Sequence, residues 1–174
     1  MNFRGAGKNR ILGLEVRPRF IGFALIEDGL RLLDWGTRRH RNRALSSKAF
    51  AVSRAAALVD TTSPTLVVVR SRQVRGRMAR RRLREIFAGI RSEAGKRSIK
   101  FRFVSSATVR RFLARHGCYN KAQGASLIAK WFPELSFKLP PPRKRWKSED
   151  QRMLVFDAAA TALACLNRSP PAAS

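Results

Sequence analysis

Apolar residues change their spacing along the chain, and each change marks an element. Between 10 and 36 three short apolar runs, about 10–16, 20–27 and 30–36, read as strands. "RPR" at 17–19 turns the first into the second, and "EDG" at 27–29 is a hairpin signal. From about 44 to 59 the spacing lengthens. Leu45, Ala49, Val52, Ala56 and Val59 recur every three or four residues, which predicts a helix with one apolar face. "TTSP" at 61–64 breaks the pattern before "TLVVVR" at 65–70, a continuous apolar run suited to a strand covered on both faces. A second helix, about 76–94, is expected to bury Met78, Leu83, Ile86, Phe87 and Ile90. "SIKFRFV" at 98–104 alternates, with Ile99, Phe101 and Phe103 on one face of a further strand. "SSATVRRFLARHG" follows as a helix opened by a serine cap and closed by Gly117. Asn120 caps another helix that ends before Pro133, and a Pro-rich loop at 139–142 leads to a last helix, about 149–167.

Three sequential strands, then helix and strand in alternation, then helices, predict a mixed α/β domain with right-handed crossovers and helices on both sheet faces. A chain of 174 residues suits one such domain, and no linker, repeat or break in composition divides it. The domain is expected over 10–167, flanked by a flexible basic arm at 1–9 and a disordered tail at 168–174.

Composition changes that picture through charge. The chain carries 37 Lys plus Arg against 11 Asp plus Glu, a net +26, alongside a hydrophobic content of 44% that supports a folded globule. So much positive charge repels itself unless it meets a polyanion, and nucleic acid is the expected partner. No long apolar span or separate amphipathic anchor points to a membrane, and the N-terminus lacks the apolar segment of a secretory signal, so the expected location is the cytoplasm. Cys118 and Cys165 have no metal-ligand spacing, and His40 and His116 are solitary.

The charge is concentrated. From Arg70 to Arg84 eight arginines occur with no acid among them, and Arg77, Arg80, Arg81 and Arg84 fall on the side of the second helix away from its apolar positions. With Arg72 and Arg75 they form the first candidate phosphate surface, because solvated helix faces normally mix signs. A second cluster surrounds Trp146 with Arg143, Lys144, Arg145 and Lys147, an arrangement suited either to stacking on an exposed base or to packing the loop onto the body. A third, "RRHRNR", spans 38–43. None contains a base-reading motif, so the binding expected is structure-selective or nonspecific and steeply salt-dependent.

Glu15 raises a different question. It sits inside an apolar strand, where an ionised carboxylate is costly unless a metal ion, a basic partner or solvent compensates it.

"ILGLEVRPRFIGFALIE" resembles the opening of RuvC-type Holliday junction resolvases, in which a strand ends in Asp and a Gly follows seven residues later; Glu15 and Gly22 hold that spacing. "PTLVVVR" resembles the family strand that ends in a catalytic Glu, and "FDAAATALA" at 156–164 its last helix, with Asp157 at the family's Asp. The resemblance covers roughly 10–166. It implies a ribonuclease H-like fold with a five-stranded mixed sheet in the order 3-2-1-4-5, a second copy of the chain as partner, and branched or structured DNA, or RNA, as ligand. It also makes Lys121, in "YNKAQG", a phosphate candidate, and sets Glu15, Asp157, Glu149 and Asp150 as the catalytic acids. In the family such acids hold two Mg²⁺ about 3.5–4 Å apart to activate water.

Two departures change that expectation. Glu15 replaces Asp, and Arg70 stands where the second acid belongs, a fixed cation in place of a metal ligand. No acid lies between Asp60 and Glu85 to restore it. Arg70 is therefore expected to pair with Glu15 and Asp157, with no cofactor, in a nuclease centre that is lost or weakened. If a metal binds, Mg²⁺ or Mn²⁺ on Glu15 and Asp157 is the alternative, as an active junction endonuclease; a basic ribonucleoprotein subunit is a third reading. Asp150 and Asp157, about 10.5 Å apart if on one helix, reach one site only if Asp150 lies in a bent lead-in.

Overall fold

A computed structural model describes residues 8–41, 44–141 and 149–167. Five strands, β1 (Arg10–Arg17), β2 (Phe20–Glu27), β3 (Arg31–Arg39), β4 (Leu66–Ser71) and β5 (Lys100–Ser105), form one sheet in the order β3-β2-β1-β4-β5. The β1–β2 and β2–β3 pairs are antiparallel, and β1–β4 and β4–β5 are parallel. Both order and directions are those expected. Asp28, Gly29 and Leu30 connect β2 to β3, with φ of 54° and 74° at Asp28 and Gly29, the left-handed conformation of tight hairpin turns, and Leu30 N–H donates to the Glu27 carbonyl at 3.0 Å.

Helices cover both faces. α1 (Ser47–Thr62) and α2 (Arg77–Lys96) pack on Leu12, Leu14, Phe23, Val67 and Val69. α3 (Ser106–Ala114), α4 (Lys121–Trp131) and α5 (Met153–Leu166) pack on Ile11, Ala24, Val68 and Val104. Ser46, Ser105 and Asn120 cap α1, α3 and α4 by accepting from the third backbone N–H beyond each. Helix α5 is buried from Met153 to Ala164. It can lie this close because a side chain is missing beneath it. A Cβ on Gly13 would fall 2.3 Å from the Ala158 carbonyl oxygen, and one on Gly22 would fall 2.5 Å from Leu154.

Several expectations fail at element ends. Met78, in the first turn of α2, is 68% exposed, and Phe103, near the end of β5, is 50% exposed. Periodicity assigned each to the inner face, but Met78 falls in the uncovered first turn of α2, and Phe103, although it touches Phe87 of α2, borders an open cleft. Leu45 is exposed and precedes α1, β3 runs on to Arg39, and the last helix begins at Met153 rather than 149. Asn9, read as part of a flexible arm, exchanges hydrogen bonds with Asp28 and accepts one from Thr65. The rest of the arm, 1–7, and the tail lie outside the described residues.

Candidate functional site

Strand parity assembles the site. Glu15 shares a face with Ile11 and Gly13, and Arg70 shares one with Val68, so both side chains point at the α5 layer. The strands run parallel with Leu14 opposite Val69, which sets Glu15 and Arg70 side by side one residue further on. Directly across from Glu15 is Gly22, which admits α5 and with it Asp157.

The three side chains form one cluster. Arg70 donates to Asp157 Oδ1 at 3.1 Å through one terminal nitrogen, while the other stands 3.1 Å from Oδ2, a two-pronged arrangement. Its Nε is 2.9 Å from Glu15 Oε2. Arg17 Nε is 3.1 Å from Glu15 Oε1, and its terminal nitrogen donates to Glu149 at 3.1 Å. Lys121 donates to Glu149 and, at 3.0 Å, to Asp157. Three carboxylates therefore interlock with three cations. Glu15 is 1% exposed and Arg70 9%.

Charge is balanced here more completely than hydrogen bonding is. Neither Glu15 oxygen has an aligned donor, because the Nε–H groups of Arg17 and Arg70 lie within ion-pair distance but point off axis. Burial pulls the Arg70 guanidinium down, but the charges of Glu15 and Asp157, with the Asp157 hydrogen bond, outweigh it and hold it above the usual arginine range. Arg72, two residues on, is in the opposite state. Burial and then repulsion from Arg17 push it below that range, and its Nε is buried without a partner.

The expected acids divide three to one. Glu15, Asp157 and Glu149 converge with Arg70 and Lys121. Asp150 does lie in a lead-in ahead of α5, but Arg152 takes both its oxygens at 2.7–3.2 Å, and it does not join them. Arg17 belongs to the site and was read only as part of a turn. Its position two residues after Glu15, on the same strand face, was the signal available.

The basic surfaces are also placed. Arg75, Arg77, Arg80, Arg81 and Arg84 are exposed on the β4–α2 connection and on α2, Arg81 being paired with Glu85 at 2.9 Å. Arg38 and Arg39 lie over the rings of Phe23 and Phe20 at 5.0 and 5.8 Å. Arg143, Lys144, Arg145, Trp146 and Lys147 lie outside the described residues. A cavity of about 540 Å³ opens beside the cluster between α3, α4 and α5, with Asp157, Lys121 and Tyr119 among its lining. Cys118 and Cys165 are free thiols. Among the described residues no group of three or more His, Cys, Asp or Glu is arranged to hold a metal, and no helix is long and apolar enough to cross a membrane.

No family model and no curated protein matches the sequence. Solved structures do. RuvC of Thermus thermophilus, in complex with a Holliday junction substrate, aligns at a TM-score of 0.67 with 14% identity over 91% of this chain and 93% of its own. Its uncomplexed structure gives 0.67 with 16% identity over the same shares. The Holliday junction resolvase of yeast mitochondria aligns at 0.63 with 11% identity, over 91% of this chain and 78% of its own. The chain has a RuvC-like, ribonuclease H-like fold.

Proposed function

We propose that this chain is a nucleic-acid-binding protein which grips the phosphate backbone of branched or structured DNA, or of RNA, and in which a fixed guanidinium has replaced the metal centre of a nuclease. The observation that carries this reading is Arg70. It engages both oxygens of Asp157 and approaches Glu15, while Arg17 approaches the remaining Glu15 oxygen.

The donor set does not fit a pair of divalent ions. Mg²⁺ requires oxygen ligands in near-octahedral geometry. Here the oxygens of Glu15 and Asp157 already face cations, so an ion would have to expel a buried guanidinium from between them. The fold, the arginines of α2 and the net charge of +26 supply the grip. The solved RuvC complex holds a Holliday junction on the same fold, which supports branched DNA as the first ligand to test.

The test is a cleavage and binding assay with Mn²⁺ on four-way junction, single-stranded and duplex DNA, comparing wild type with Asp157→Asn. Binding without cleavage is expected for both. Cleavage by the wild type that disappears in Asp157→Asn overturns the reading in favour of an active endonuclease. A structured RNA that outcompetes junction DNA would instead mark a ribonucleoprotein subunit.

A further inference from the structure

The half-exposed ring of Phe103 is not explained by packing. Phe87 and Phe101 pack against it, with ring centroids 5.4 and 5.0 Å away, yet half of the residue's surface stays exposed. Phe103 lines, with Phe87, a cleft of about 740 Å³ between the end of β5, the β4–α2 connection and the N-terminal half of α2. Its charged lining is Arg72, Arg77, Arg80 and Arg84, with no acid among its walls. Among the described residues none of these four has a hydrogen bond or ion pair to a carboxylate. Arg72 carries the second observation: its Nε is buried and unpartnered, and Arg17 and Arg70 repel it. An anion placed there removes that repulsion and satisfies the donor.

We propose that this cleft binds an unpaired stretch of nucleic acid, one base stacking on the Phe103 ring while Arg72, Arg77, Arg80 and Arg84 hold the neighbouring phosphates. An aromatic face beside aligned cations and no acid is the chemistry that recognises single strands, since every base has a π-face and every nucleotide a charge. A duplex offers the cleft its phosphates but keeps its bases stacked inside. The site therefore discriminates unpaired from paired nucleic acid, which the arginines alone cannot do. This inference rests on the nucleic-acid reading above and assigns a structural preference within it.

The test measures Phe103→Leu and Phe103→Ala against wild type on labelled oligo-dT, on oligo-U of the same length and on a fully paired duplex of equal phosphate number. Leu keeps the contact with Phe87 and removes the π-face, so it decides the outcome should the Ala variant unfold. Both variants are expected to lose about tenfold in affinity for single strands, with duplex affinity changed by less than about twofold. A loss confined to oligo-dT or to oligo-U supports the platform and says which sugar it serves. Unchanged single-strand affinity, or equal losses on single strand and duplex, overturns it while leaving backbone binding intact. A wild type that binds none of the three probes overturns the nucleic-acid reading as well.

Discussion

Arg70 and Arg72 are two residues apart on one strand end and live in opposite surroundings. Arg70 is buried among carboxylates, its oxygen partners on three sides and its charge locked in place. Arg72 lies just past the end of β4 and lines the cleft beside α2, meets Arg17 as its strongest repulsive neighbour, and has no partner for its buried Nε. Strand parity does not separate the two roles, since positions two apart share a face; β4 ends at Ser71, and Arg72 belongs to the connection beyond it. Within the strand a cation is locked between carboxylates; just past the strand end another arginine keeps a buried donor without a partner. The same residue type can close a site or open one according to the charges already there.

Removing Arg70 tests the closed half most severely. Arg70→Met leaves Glu15 and Asp157 in a buried setting without their main counter-charge, and uncompensated buried charges typically cost about 3–5 kcal/mol. A urea titration should show the midpoint fall accordingly with the slope preserved. A loss under about 1 kcal/mol would mean that Arg17 and Lys121 hold the acids unaided.

The open half predicts the reverse pattern. Arg80→Ala combined with Arg84→Ala removes exposed cations that touch no acid, so stability should stay within about 0.5 kcal/mol of wild type. Binding should change instead, the slope of log affinity against log salt on duplex DNA shrinking by about two. An unaltered slope would show that these arginines do not meet phosphate.

Glu149 lies between the two extremes, partly exposed and shared by Arg17 and Lys121. Glu149→Gln keeps the shape and removes the charge, so a loss of about 1 kcal/mol is expected in the same titration. A gain in stability would place surplus negative charge at the site.

The smallest effect belongs to the far end of the sheet. Arg97 donates to Asp60 at 2.5 and 2.9 Å and to Glu93 at 2.8 Å, joining the end of α1 to α2. Its hydrogen bond lowers the Asp60 carboxyl, and Lys96 with Arg97 lowers Glu93. Carboxylates lowered by folding contribute stability that is present above their unfolded pKa and lost as pH falls through the folded value. Arg97→Ala should therefore lower the melting temperature slightly at neutral pH and converge on wild type as pH falls below the usual carboxylate range, so that the variant has the flatter acid limb. An acid limb as steep as wild type would remove these pairs from consideration.

Much of this was legible in one dimension. Alternation, a continuous apolar run, three-to-four spacing and cap and breaker residues located the five strands and five α-helices of the described residues, because burial of a face imposes a period and element ends demand particular residues. The spacing of Glu15 and Gly22, with Arg70 ending an apolar run and Asp157 amid small residues, announced the cluster before its geometry was known. Arg17 was missed because its neighbours Pro18 and Arg19 read as a turn, although it is still within β1. Asp150 was included because nothing in its spacing shows that Arg152 folds back onto it.

Periodicity assigns a residue to a face but is silent on how far the opposing layer covers it, so Met78 and Phe103 were placed in a core that leaves them exposed. The element order, the basic surface and the identity of the site residues are properties of the chain, since they follow from local period and from charge that no folding can cancel. Which arginine is buried against acids and which is left facing a cleft depends on where α5 docks over Gly13 and Gly22 and on where α2 begins. Those are distances between segments far apart in the chain, and a linear pattern holds no measure of them.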